Sequence, residues 1–306
     1  MSILVVGSVA LDNIRTPFGH ASEVVGGSAS YFSASASFFS TLKVTAVVGD
    51  DFPRGDLAFL EERGGDLRGL TVVPGGKTFR WQGRYDYDLH DAETLKTELG
   101  VFQEFHPVVL EAYRDAPYVF LANIDPELQM EVLNQVRKPK LVACDTMNYW
   151  IESKRPQLFE TISRVNVMIL NDAEARQLTQ EPNLVKAARA IQLFGPKIVI
   201  VKKGEHGALM FYEDSIFSAP AYPVEEVLDP TGAGDSFAGG FVGSLARRGS
   251  ADEASVRQAM IYGSVMASFC VERFGLERFK TLAPDEIVVR FKEFQKICHF
   301  DPLDAK

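Results

Sequence analysis

The stretch Asp229-Pro230-Thr231-Gly232-Ala233-Gly234-Asp235-Ser236-Phe237-Ala238-Gly239-Gly240 decides how the rest of the chain is read. Gly232 and Gly234 permit a sharp turn and a close approach of backbone to a ligand. Beyond them, Phe237, Phe241, Val242 and Leu245 recur at helical spacing, and Ala238, Gly239, Gly240 and Gly243 leave room for a tightly packed neighbour. A helix over Ser236 to Arg248 is predicted. A glycine-rich turn feeding a helix start offers unpaired N–H groups and the positive end of the dipole, which together favour an anion. Asp235 stands at the mouth of that site. A carboxylate gains nothing beside a phosphate unless a cation or a reacting hydroxyl lies between them, so its presence points to proton chemistry, with Asp235 taking the proton of an attacking hydroxyl. The helix dipole is expected to keep it ionised. A simple helix cap explains Asp235 alone, but does not call for the glycines on both sides.

Other phosphate-binding patterns fit less well. G-x-G-x-x-G fails at Phe237, and no G-x-x-x-x-G-K-[ST] occurs. The stretch resembles the C-terminal signature of the ribokinase-like (PfkB) family of carbohydrate and nucleoside kinases, with core D-T-x-G-A-G-D; Pro230 replaces the second-position Thr. The resemblance implies a three-layer α/β/α fold with a mostly parallel central sheet and a small β-sheet lid. Residues 1–306 would then form a single kinase domain using ATP and Mg2+. It also implies catalytic roles for Asp235, Gly232, Ala233 and Gly234, nucleotide contacts at Thr231, Gly232 and Gly234, and a monovalent cation, K+, at Asp229.

Composition agrees with a soluble globular enzyme. The 306 residues, 46% hydrophobic and 24% charged, can bury a large core. A net charge of −9 argues against nucleic-acid and membrane-surface partners. Cys144, Cys270 and Cys298 show no C-x-x-C spacing and suit reduced thiols. No apolar run approaches a membrane span, and the first residues lack a basic segment ahead of an apolar one. A cytoplasmic location is expected.

Ile3 to Val6 reads as a buried parallel strand. Asp12 follows it, where open α/β sheets bind ligands, although a turn Asp fits the local sequence equally well. The family has an acceptor-binding Asp at the matching place, and Gly26-Gly27 resembles its sugar-site signature. Tyr31 replaces an Asn found in many carbohydrate kinases; its ring either stacks on a sugar or base or belongs to the core. Asp51 suits a helix N-cap, with Pro53 in the first turn. From Thr78 to Asp88 the pattern alternates, with Phe79, Trp81, Tyr85 and Tyr87 on one face. By resemblance, residues of about 12–25 and 71–105 form the lid, which would also serve as a homodimer interface. Lys77, Arg80 and Arg84 either hold an acidic substrate or line a solvated face.

From Ala116 onward strands and helices alternate, as in a parallel sheet wound with helices. Polar groups follow the strands at Asn123/Asp125, Asp145/Asn148 and Asn171/Asp172/Glu174, and any of them could cap a helix. Asn171 and Glu174 match the family's N-x-x-E motif for Mg2+ and its waters, and Asp145 and Asn148 resemble a segment near phosphates and substrate. Lys202 to Gly207 resembles the turn flanking the nucleotide, with Lys202 reaching a phosphate and Gly204 and Gly207 shaping the turn. Ser264, in a predicted helix Asp252 to Val271, falls where the family lines the adenine. The five His have no metal-ligand spacing. The expected activity is transfer of the ATP γ-phosphoryl group to a hydroxyl of a sugar or sugar-like molecule. A nucleoside kinase and a non-catalytic sensor on the same fold are the alternatives.

Overall fold

The computed structural model describes residues 1–90, 92–299 and 301. Short apolar runs, each too short for a helix with an apolar face, pair side by side. They are β1 (Ser2–Val6), β4 (Thr41–Gly49), β5 (Leu70–Val73), β8 (Tyr118–Leu121), β9 (Leu141–Asp145), β10 (Val167–Asn171), β11 (Ile198–Lys202), β12 (Ala208–Tyr212) and β13 (Ser215–Ala219). They form a nine-stranded sheet in the order β13-β12-β11-β10-β9-β8-β1-β4-β5, parallel from β11 to β5 and closed at the other edge by an antiparallel hairpin. Both faces are buried, so alternate residues of one strand enter different cores: Ile3 and Val5 one, Leu4 and Val6 the other. Helices cover both faces, giving the α/β/α layering expected from the signature.

The helix Ala233–Arg248 lies between the helices Ser28–Ala36 and Glu253–Cys270. Its small residues make that possible. A Cβ on Gly239 would stand 2.4 Å from the Phe32 carbonyl oxygen, and one on Gly240 would stand 2.6 Å from that of Tyr262. The helix starts at Ala233, earlier than the apolar spacing alone predicts, which puts Asp235 inside its first turn.

A second sheet of four strands stands over the carboxyl ends of the first. Its order is β3-β2-β6-β7, from β2 (Ala10–Thr16), β3 (Gly19–Gly26), β6 (Phe79–Tyr85) and β7 (Ala92–Glu98), with β2 and β6 parallel. The boundaries differ from expectation: Leu70–Val73 pairs with β4 in the large sheet, Gly100–Glu104 is a 3-10 turn, and Tyr87 lies beyond β6, 85% exposed. Asp51 caps no helix. Its carboxylate accepts from the Thr78 amide (2.9 Å) and hydroxyl (2.7 Å), and Arg80 reaches it at 2.9 Å, so it ties down the chain entering the lid. Arg80 also pairs with Glu23, Arg84 with Glu93, and Lys77 lies 3.6 Å from Asp51. These three cations pair with carboxylates of the lid and of the Asp51 loop, which favours the solvated face over an acidic-substrate clamp. Among the described residues no helix is long and apolar enough to cross a membrane, and the three cysteines are unpaired.

Candidate active site

The N-cap of the signature helix is Gly232, in the left-handed region at φ 75°, and it makes no side-chain capping bond. Asp235 is therefore not the cap. Among the described residues its carboxylate accepts no hydrogen bond, and it remains partly open to solvent. Burial, then the Asp145 carboxylate, pushes its pKa up to about 8; Lys202 opposes the shift, while Asp12 and Glu174 add to it. The expectation of a dipole-ionised Asp235 fails for the protein alone, because several buried acids converge there and one helix terminus is worth only about 0.3–1 kcal/mol in most settings.

Lys202, the last residue of β11, is the cation among these acids. Its Nζ donates to Asp145 Oδ2 at 3.1 Å, with the two side chains only 17% and 5% exposed. The same Nζ would stand 2.9 Å from a Cβ on Gly234, so the absent side chain there lets the lysine lie against the glycine-rich turn. Burial opposes its charge, but Asp145, Glu174 and Asp235 together keep its pKa above the ordinary lysine value. Asn171 and Glu174 form a reciprocal capping box at the end of β10, each side chain accepting the other's amide at 2.7 Å. Burial raises the Glu174 carboxyl to about 7, against the pull of Lys202.

Asp12 comes from the lid. It lies on β2, 3% exposed, with its carboxylate over Gly26, where a Cβ would fall 1.8 Å from Oδ2. Burial, then Asp229, raises it to about 7, while the Gly27 amide pulls the other way. Gly27, at φ 90°, turns beneath the Ser8 carbonyl and starts the following helix. Ser8 and Ser28 lock that corner through reciprocal bonds of 3.0–3.3 Å. The turn thus gathers Asp12, Asp145, Glu174, Lys202 and Asp235 at the carboxyl ends of the strands, where doubly wound sheets bind ligands.

Several expected site residues are placed differently. Tyr31 is 1% exposed, with its ring against Gly232 and its hydroxyl buried without a partner. It supports the turn from below and offers no stacking face, which corrects its assignment to substrate. Thr231, assigned to the nucleotide, turns its hydroxyl to Tyr85 of the lid at 3.1 Å. Asp229 is fully buried, its oxygens accepting from the amides of Thr231 (2.9 Å) and Gly275 (3.5 Å). A carboxylate already engaged in this way does not fit an open K+ ligand. Asn148 is exposed at the start of a short helix and accepts from its neighbour Tyr149. Ser264 is 7% exposed within the helix pair, and Gly204 and Gly207 bracket the turn after β11.

Tyr85 and Asn123 take roles that the sequence reading did not assign to them. Asn123, just past β8, accepts the Trp150 indole N–H at 3.0 Å, which fixes its amide, while the cap itself falls to Asp125. Tyr85, 9% exposed, joins the lid to the signature turn across 146 residues, a separation with no local sequence signal. Tyr85→Phe removes that bond alone, and is expected to lower unfolding free energy by about 0.5–1.5 kcal/mol; equal denaturation midpoints for both proteins would contradict the link.

The pattern described as "pfkB family carbohydrate kinase" matches residues 89–281. The chain belongs to the pfkB family. A cytidine kinase of Thermococcus kodakarensis is 32% identical over 253 residues, covering 81% of this chain and 89% of the relative. Two solved structures of lower identity share the fold. The nucleoside kinase of Methanocaldococcus jannaschii has TM-score 0.76 at 21% identity, covering 95% of this chain and 98% of that one. The aminoimidazole riboside kinase of Salmonella enterica, complexed with aminoimidazole riboside and an ATP analogue, has TM-score 0.74 at 17% identity, covering 95% and 100%. This pfkB-family chain is a small-molecule kinase of the sugar and nucleoside class.

Proposed function

We propose that the chain transfers the γ-phosphoryl group of ATP to a hydroxyl of a nucleoside, with Asp235 as general base. The observation that carries this reading is the Asp235 carboxyl: in the first turn of the signature helix, partly open to solvent, and within the electrostatic reach of Asp12 and Lys202. Asp12, over Gly26 and Gly27, would hold the acceptor so that its hydroxyl meets Asp235. The Ala233 amide donates to the Pro230 carbonyl at 3.1 Å; the amides of Gly232, Gly234 and Asp235, which have no carbonyl partner among the described residues, would take the charge of the migrating group. Lys202 lies against the same turn and supplies a positive charge to the phosphates, with the Gly204–Gly207 turn beyond it on the nucleotide side.

The residues suit Mg2+. Glu174 keeps one carboxylate oxygen outside its capping box, and the raised pKa values of Glu174 and Asp235 mark two carboxyls that a cation would help to ionise. Among the described residues no three acidic, His or Cys side chains close around a metal, in keeping with an ion that retains most of its waters and takes one or two carboxylates. When bound, Mg2+ would neutralise phosphate charge and lower the Asp235 pKa.

The sequence reading put a sugar first; the cytidine kinase, 32% identical over 81% of this chain, favours a nucleoside. ADP release measured over cytidine, other nucleosides, ribose and fructose separates the two. Turnover of free sugars with no nucleoside accepted would overturn the nucleoside reading. The exposed edge strand β7 is the surface a second copy would use in a lid-mediated homodimer, tested by molar mass in solution.

The raised carboxyl gives a pH dependence. A base must be deprotonated, and kcat/KM reports the free enzyme, so kcat/KM is expected to rise with pH and level off above about 8. Glu174, itself raised to about 7, adds to the Asp235 shift and so contributes to the limb. A profile flat from pH 6 to 9 would contradict the assignment.

A further inference from the structure

The lid carries several aromatic rings, and those of Phe79 and Tyr85 are otherwise engaged. Phe79 packs on Phe102 at 5.5 Å between centroids, Tyr85 is bound to Thr231, and Tyr87 lies beyond the strand. Trp81 differs. The β2–β6 pairing is parallel and in register, with Asp12 opposite Trp81 and Ile14 opposite Gly83, so Trp81 stands on the same sheet face as Asp12. The indole folds down over Gly83, where a Cβ would fall 2.1 Å from the ring. Its N–H donates to Thr94 Oγ1 at 3.1 Å, which pins the ring from the neighbouring strand. One ring face therefore rests on backbone. The other looks away from the sheet, the side chain is only half-buried, and no aromatic partner covers it among the described residues.

We propose that Trp81 is the platform on which the acceptor's aromatic base stacks, making a base-bearing acceptor a better substrate than a free sugar; this rests on the nucleoside reading above. Asp12 holds the sugar hydroxyls, and a base attached to that sugar extends along the same lid face onto the ring. Such a flat, pinned surface is tolerant of base identity, because every base has a π-face. Gly83 is part of the device, since any side chain there would lift the indole off the sheet. The platform assigns a class of acceptor and leaves the choice of base to groups around its edge.

The test compares wild type, Trp81→Phe, Trp81→Leu and Trp81→Ala in ADP release with cytidine, uridine, adenosine, inosine and free ribose. Each acceptor is also titrated without ATP while intrinsic fluorescence is recorded. Loss of a stacking partner is expected to raise nucleoside KM by about tenfold or more in the Leu and Ala variants. Trp81→Phe should remain within about threefold, kcat should change little in any of them, and ribose kinetics should not respond. The Leu variant keeps the proposal testable if the Ala variant does not fold. Nucleoside KM within twofold of wild type in the Leu variant would overturn the platform. So would a Phe variant as impaired as Leu, or an equal effect on ribose, since either would mark Trp81 as merely structural. If no acceptor releases ADP, the transfer reading fails separately. Nucleoside quenching that disappears in Trp81→Phe would then still support the platform, and absence of quenching would overturn it. Turnover of ribose without nucleoside quenching overturns the platform and leaves the transfer reading standing.

Discussion

Asp235→Asn is expected to lower kcat by about 10²–10⁴, the usual contribution of a positioned general base, while making the ligand-free protein more resistant to unfolding at alkaline pH. The two effects share one cause. Burial and the Asp145 charge raise the folded-state pKa to about 8, against about 3.9 in an unfolded chain. Between those values the folded protein binds the extra proton, so stability is greatest below about pH 4 as far as this group is concerned and is lost as pH rises through about 8. Asparagine has no such loss. The variant should therefore melt at least as high as wild type near pH 6 and higher near pH 8.5. Activity with ADP release and melting at the two pH values check both halves. Near-normal turnover would remove Asp235 from the role of base, and equal melting at pH 8.5 would contradict the raised carboxyl.

Lys202→Met is expected to cost roughly 2–3 kcal/mol of stability at pH 8, somewhat under the range for breaking a fully buried ion pair, because the lysine is 17% exposed. The methionine fills a similar volume, so the cost lies in the charges left behind. Asp145 loses its partner at 3.1 Å, and Asp235 and Glu174 lose the cation that opposes their raised pKa values. Protonation relieves that repulsion, so the deficit should shrink toward pH 5.5. In catalysis the rising limb of kcat/KM should move to higher pH, since Lys202 is the group that lowers Asp235. Denaturation midpoints at pH 8 and 5.5 read the first effect. A deficit independent of pH would point to lost packing instead of charge. Adding Asp145→Asn should recover part of the loss, as coupled sites do in a double-mutant cycle.

The sequence exposed what depends on short-range pattern. The apolar runs of β1, β8 and β10 announced a buried parallel sheet, since alternate residues all had to be apolar to fill two cores. Asp235 stood out because glycines surround it. Two misreadings involved residues whose partners lie far along the chain. Asp51 looked like a cap until Thr78 and Arg80 came to it from the lid, and Tyr31 looked like a ligand-facing aromatic until Gly232 closed over it. Asn171 and Glu174 satisfy the local capping pattern and the site at once, so no reading of four residues could separate the two. The raised Asp235 carboxyl was invisible for a different reason: it sums the effects of Asp145, Asp12, Glu174 and burial, delivered by four separate chain segments.

Asp12 rides on the lid strand β2, whereas Asp235 belongs to the helix Ala233–Arg248 of the body, and Tyr85 joins lid to body at Thr231. Any motion that lifts the lid carries Asp12 away from Asp235. With the lid raised, the group best placed to meet the nucleotide is a water molecule, but it meets neither the Asp12 grip nor a dry cleft. On the proposed roles, dividing the two acids between a lid strand and a body helix would protect ATP from idle hydrolysis: the acceptor would assemble the reaction centre by holding the lid shut.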